Sequence, residues 1–325
     1  MSNSFLAKKW AALFILLFSL DCSVWAQQDK MFSQYMFNMM ALNPAYAGSR
    51  EVLSMSALYR SQWTGIQGAP QTATFTMDMP LNRERIGVGL QLYSDKVGVF
   101  QEAGAFASYA FRIPVGDRST LALGLQAGAS SYQANLVDVL VNPGNAGQPD
   151  PNFANNISKM LPNFGTGLYL SSDRAYISIS VPRLIKNKLN EYNTGGYRST
   201  QLRQAYLGAG FVVELSPDVK MKPSTLLRYA EGSNLGVDAN INFWFVDKIA
   251  IGASLRKNQF SSWSTYTTDA LVGLLEIQLT DQIRFGYAYD RTMNAFKDIA
   301  PSSHEFMLRY EIGRSKTHIM TPRYL

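Results

Sequence analysis

Few residues in this sequence could do chemistry. It has two histidines, His304 and His318, and one cysteine, Cys22. A nucleophile needs a base within hydrogen-bond reach, and the base needs an orienting partner. The run Ser302-Ser303-His304 comes nearest to that arrangement. Neighbouring residues on a strand point to opposite faces, so Ser303 and His304 cannot easily meet. Ser302 shares a face with His304, but nothing marks a third partner. Neither histidine has a metal-ligand spacing, and a lone cysteine offers neither a thiolate zinc cluster nor a disulfide framework. Gly87-Val88-Gly89 lies inside an alternating stretch, where glycine eases curvature or close packing rather than cradling a phosphate. Arg112, Arg228, Arg256, Arg284 and Arg309 would favour anions if they lined a lumen. Asp238, Asp290, Glu305 and Glu311 offer them internal ion pairs, the simpler reading. The expectation is a protein without catalysis and without a cofactor.

The elements that position these residues follow from patterning. Residues 1–26 read as a secretory signal peptide: Lys8 and Lys9, the apolar run Ala11 to Leu20, and a small-residue cleavage site at Val24-Trp25-Ala26. Cys22 raises a lipoprotein alternative, but Ser19-Leu20-Asp21 lacks the small residue expected just before a lipidated cysteine. Without Lys8, Lys9 and Asp21, 28 of the 30 basic and 23 of the 24 acidic residues remain, a net +5. These charges are scattered, so nucleic acid is not an expected partner. No later apolar stretch approaches the roughly 18 residues of a membrane helix. Yet 46% of the chain is hydrophobic and only 17% is charged.

From Glu51 onward the apolar period is two. In Gln71 to Met79, Ala73, Phe75, Met77 and Met79 oppose Thr72, Thr74, Thr76 and Asp78. In Asn234 to Phe245, Leu235, Val237, Ala239, Ile241, Phe243 and Phe245 oppose Gly236, Asp238, Asn240 and Asn242. Fourteen such strands can be counted, at about 10 residues each. Their second face carries Gly, Ser, Thr and Asn rather than long charged residues. That suits the crowded lumen of a membrane barrel better than the wet face of a soluble sandwich. Closing the barrel also satisfies every backbone group that lipid cannot. Alternate connections are short, among them Pro114 to Ser119, Ser172-Asp173 and Val246 to Lys248. The long ones, Gln133 to Lys159, Arg183 to Thr200, Lys257 to Tyr266 and Arg291 to Ser303, all fall on the other side. An even strand count puts both termini in the periplasm. Tyr59, Trp63, Tyr109, Phe111, Phe243, Trp244, Phe245, Tyr287 and Tyr289 lie near strand ends, as interfacial belts require. The expected fold is an all-β, transmembrane, antiparallel up-and-down barrel over residues 51–313, with a periplasmic tail over 314–325.

Residues 27–50 precede the first strand and cannot belong to the lipid-facing wall. They are dense in Met, aromatic and amide residues: Phe32, Gln34, Tyr35, Phe37 and Asn38 lead into Asn43-Pro44-Ala45-Tyr46-Ala47-Gly48, a turn. The segment must cover the barrel mouth, fill the lumen or meet a partner. The wording FSQYMFN followed by LNPAYAGS closely resembles the opening of the PorP/SprF family, outer-membrane proteins of the Bacteroidetes type IX secretion system. Tyr59-Arg60-Ser61-Gln62-Trp63 with Gly68-Ala69-Pro70, Gly286-Tyr287-Ala288-Tyr289-Asp290 and Ser303-His304-Glu305 fit the same family. Pro322-Arg323-Tyr324 resembles its closing motif, with Leu325 in place of a final Phe.

The resemblance implies a non-enzymatic outer-membrane component of protein secretion. Some similar proteins dock onto periplasmic components, including an OmpA-like peptidoglycan-binding lipoprotein. Others serve the export and surface attachment of an adhesin, as in gliding motility. The sites implied for partner binding or plugging are Phe32, Gln34, Tyr35, Phe37, Asn38, Asn43, Pro44, Tyr46, Gly48, Pro322, Arg323 and Tyr324. The alternative is a solute channel in the same membrane.

Overall fold

The computed structural model describes residues 30–82, 85–138, 155–189, 200–231, 235–257, 269–294, 297–300 and 302–313. The signal peptide with Cys22, and the tail with His318, Pro322, Arg323 and Tyr324, lie outside the described residues.

Three single-turn 3-10 helices, Tyr35–Phe37, Met39–Ala41 and Pro44–Tyr46, precede the strands. Then follow β1 (Leu53–Ser61), β2 (Gln71–Leu81), β3 (Ile86–Val97), β4 (Phe100–Pro114), β5 (Ser119–Ala134), β6 (Ile157–Ser172) and β7 (Ala175–Arg183). β8 comprises Gln204–Phe211 and Val213–Ser216, which keep one register across Val212: Gly210 faces Ser224 and Val213 faces Met221. β9 (Val219–Ala230), β10 (Gly236–Phe245), β11 (Ile249–Lys257), β12 (Ala270–Gln278), β13 (Ile283–Thr292) and β14 (Ser302–Ile312) complete the chain. Every strand pairs antiparallel with its sequence neighbours, and β1 closes onto β14 from Leu53↔Ile312 to Ser61↔His304. The protein is a closed antiparallel barrel of 14 strands.

Alternation decides the two faces. On β2, Thr72, Thr74, Thr76 and Asp78 are buried, whereas Ala73 and Met79 are exposed. On β10, Asp238, Asn240 and Asn242 are buried. The outer wall shows Leu125, Phe164, Ile251, Leu255 and Leu308 to the surroundings. An apolar exterior around a polar interior suits a barrel that crosses lipid with strands. Among the described residues no helix is long and apolar enough to cross a membrane.

β1 begins and β14 finishes at the same end of the barrel, here the terminal end; the longer connections emerge at the opposite, loop end. Outward-facing Tyr109, Phe111 and Phe245 lie at the terminal end, and Tyr59, Trp63 and Tyr289 at the loop end. Trp244 departs from the expected belt: it shares the face of Asn242 and is fully buried in the lumen. The strand reading also fell short around residues 94–101, 133–134 and 157–162. β3 and β4 run on to a tight turn with Gly98 at φ 58°, β5 reaches Ala134, and β6 begins at Ile157. Polar side chains on these stretches face the lumen or the barrel rim, so a tall wall read as loop. The expected short turn at Pro80 likewise begins later, because Pro80 lies within β2.

Candidate functional site

Small lumen-facing residues create a physical problem. About 8 strands make a barrel narrow enough for their own side chains to fill, whereas about 16 to 18 leave an aqueous channel. Fourteen strands lined by Ser, Thr, Asn and Gly cannot fill the space they enclose. Residues 30–50 occupy it. Every residue from Phe32 to Arg50 except Ala41 is buried. The segment starts at the loop end, where Lys30 Nζ sits 3.0 Å from the centre of the Tyr93 ring. It reaches the terminal end at Arg50, 2.7 Å from Glu311, and turns into β1. It therefore traverses the lumen rather than resting at one mouth.

At the loop end a carboxylate holds the segment. Glu305 accepts the backbone N–H groups of Ser33 and Gln34, both at 2.8 Å. Ser33 Oγ donates to Asp290 at 2.7 Å and accepts from Arg60 at 2.6 Å. Arg60 pairs with Asp290 at 2.6 Å and with Glu305 at 3.0 Å. Arg256 donates to the Phe32 carbonyl at 3.3 Å and pairs with Asp238 and Asp290 at 2.9 and 3.1 Å. Paired and hydrogen-bonded this way, the charges offset the desolvation cost of lying in the lumen.

The middle layer is apolar. Met36, Phe37, Met39, Met40 and Tyr46 share one core with Leu58, Tyr169, Tyr176, Leu226, Val272 and Met307 of the wall. Tyr46 meets Tyr169 edge-on, with ring centres 5.2 Å apart. Tyr35 OH lies 3.1 Å from Ser224 Oγ, and Thr76 donates to Asn38 at 3.0 Å. The segment thus brings its own Met and aromatic side chains to the centre of a polar lumen, with these few hydrogen bonds among them.

Toward the terminal end, Asn43 caps the third 3-10 turn. Its side chain accepts from Ala45 N at 2.9 Å, and Pro44 fills the first helical position, where no N–H is needed. The same amide donates to the Leu168 carbonyl and to Ser178 Oγ, both at 2.8 Å. Gly48 has φ 72°, donates to Asp78 at 2.8 Å and accepts from Arg112 at 2.8 Å. Wall glycines allow this approach. A Cβ on Gly87 would strike the backbone of Ala47, one on Gly124 the backbone of Ala45, and one on Gly167 the side chain of Asn43.

Thus Phe32, Gln34, Tyr35, Phe37, Asn38, Asn43, Pro44, Tyr46 and Gly48 all lie inside the barrel and contribute to one packed unit. Of the arginine pairings read from the sequence, Arg228 and Arg256 form theirs, with Asp238 and with Asp238 and Asp290; Arg284 pairs instead with Glu276 at 3.0 Å, and Glu305 and Glu311 are taken by Arg60 and Arg50. Arg112 stands 3.9 Å from Glu51. The residues missed are Ser33, Arg60 and the wall glycines; the place of Gly on the polar face of the strands was the signal available for the glycines. Ser303 points inward and accepts from Trp63 N at 3.2 Å. His304 points outward, its Nδ1 2.8 Å from Tyr287 OH. The two do not form a nucleophile–base pair.

Three solved structures align with the barrel at low similarity. The outer membrane protein Omp33 of Acinetobacter baumannii is 7% identical, with 81% of this chain and 99% of that chain covered and a TM-score of 0.44. The CymD monoaromatic hydrocarbon channel is 13% identical over 89% and 95% of the two chains, at a TM-score of 0.48. The KdgM porin in complex with disordered oligogalacturonate is 7% identical over 80% and 99%, at 0.39. No curated protein shows significant sequence similarity. The profile of the type IX secretion system membrane protein PorP/SprF matches residues 24–310, nearly the whole chain. A lipid-facing barrel within that match is consistent with the outer membrane, and the protein belongs to the PorP/SprF family of type IX secretion system membrane proteins.

Proposed function

We propose that the protein is a non-enzymatic scaffold or anchor of type IX secretion whose barrel is closed to solutes by residues 30–50. One observation carries this reading: the burial of Phe32 to Arg50 through the length of the lumen. A solute channel needs a continuous aqueous path, and this segment occupies the space where that path would run. With the short turns in the periplasm, the terminal end and the tail with Pro322, Arg323 and Tyr324 face periplasmic partners such as an OmpA-like peptidoglycan-binding lipoprotein. The long loops then face outward, where a secreted adhesin would be held.

Deletion of residues 31–48 tests the proposal. The full-length barrel should be closed in planar bilayers. The deleted barrel should still reach the outer membrane in heat-modifiable form, conduct ions and fail to support cargo secretion. Stable, solute-selective conductance by the full-length protein would favour the channel instead. Undiminished secretion by the deletion variant would remove the segment from the secretion role.

A further inference from the structure

The two ends of the lumen are charged differently. At the loop end Arg60, Arg228 and Arg256 face Asp238, Asp290 and Glu305, and all six take part in ion pairs of 2.6 to 3.3 Å. At the terminal end the pairing is incomplete. Arg50 holds Glu311 at 2.7 Å, Lys220 holds Asp247 at 2.6 Å, Arg284 holds Glu276 at 3.0 Å and Arg112 lies 3.9 Å from Glu51. Asp78 accepts the Gly48 N–H at 2.8 Å. Lys222 and Arg309 remain.

Both side chains are only 1% exposed. Among the described residues, Lys222 Nζ and all three guanidinium nitrogens of Arg309 have no hydrogen-bond acceptor, and neither residue has an ion-pair partner. The indole Nε1 of fully buried Trp244 is unpartnered as well. The Trp244 ring lies between Lys222 and Arg284. Lys222 Nζ lies 4.5 Å from its ring, and the Arg284 guanidinium carbon lies 4.9 Å from the same ring. Arg284 is the cross-strand partner of Arg309. Buried cations without partners are strongly unfavourable, and a guanidinium fork matches the two oxygens of an oxyanion.

We propose that the terminal-end lumen binds a compact oxyanion, a phosphate or a carboxylate, gripped by Arg309, with Lys222 supplying a second charge and Trp244 a further donor. The loop end, where Arg60, Arg228 and Arg256 are all ion-paired, would not bind one.

The test uses the full-length barrel purified in detergent. Its thermal unfolding is followed in sodium phosphate, sodium acetate and sodium chloride at matched ionic strength. Phosphate or acetate should raise the midpoint by a few degrees over chloride. Arg309→Met should abolish that rise and Lys222→Met should reduce it. A response to phosphate alone assigns a phosphate ligand, and a response to acetate alone a carboxylate. Equal midpoints in the three salts, or an undiminished rise in both variants, would overturn the site. In chloride, Arg309→Met removes an unpaired buried charge and should melt no lower than the parent. A variant that fails to fold would mean that Arg309 already has its partner within the fold, which also overturns the proposal.

Discussion

Glu305 shows what one residue does in this barrel. Its two oxygens receive the backbone N–H groups of Ser33 and Gln34 while Arg60 balances its charge, all in a fully buried position. Glu305→Ala would leave Arg60 with one carboxylate fewer and two backbone donors unmet. Breaking a buried pair in this way should cost about 3–5 kcal/mol, read by urea unfolding of the refolded barrel. Glu305→Gln keeps the shape and one acceptor, and should lose about 1–3 kcal/mol. The sequence offered Glu305 as an internal counter-charge. It gave no hint that the carboxylate also holds a segment 272 residues away.

At the scale of the element, each strand is written for two different surroundings, and its glycines show which part of the lumen it meets. Gly87, Gly124 and Gly167 stand where the traversing segment touches the wall. Gly273 faces outward with nothing near its missing side chain. Gly124→Val should force the Pro44–Tyr46 turn off β5 and destabilise the barrel by about 1–3 kcal/mol through overpacking. Gly273→Val should stay within about 0.5 kcal/mol of the parent. The temperature at which the barrel loses its heat-modifiable mobility separates the two variants. The glycines on the polar face of the strands were legible as close-packing sites, but their contact lay in another part of the chain.

For the whole molecule, strand count and lumen composition act together. A barrel of this width with small inward residues stays hollow unless something enters, and the entering segment crosses from one end to the other. Lys30 and Gly313 consequently lie at opposite ends of the barrel, although β1 and β14 are neighbours. The expectation that both termini are periplasmic concerns residues outside the described ones; β1 begins and β14 ends at one end of the barrel, and Lys30 lies at the other. Labelling can check this, because Cys22 is the sole cysteine and falls in the expected signal peptide. In intact cells an impermeant maleimide should label Lys30→Cys together with Val137→Cys of the loop end. It should spare Val115→Cys in the β4–β5 turn. Labelling that matches Val115→Cys would reverse the direction of the segment.

By itself the sequence determined the barrel: period-two alternation, apolar on one face and small or polar on the other, repeated over 14 strands with short turns on alternate sides. These are local signals, since alternation and turn chemistry are read within a few residues of where they act. It also marked residues 27–50 as dense in Met, aromatic and amide residues and outside the lipid-facing wall, and it supplied enough family wording to identify the class. Only the tertiary structure decided where that segment goes. Its partners, Glu305, Asp290, Gly124, Gly167 and Ser178, lie far along the chain on strands that meet only when the barrel closes. The apolar middle layer, the inward Trp244 and the two unpaired cations arise from the same closure, because it brings distant side chains into one enclosed space that no local pattern describes.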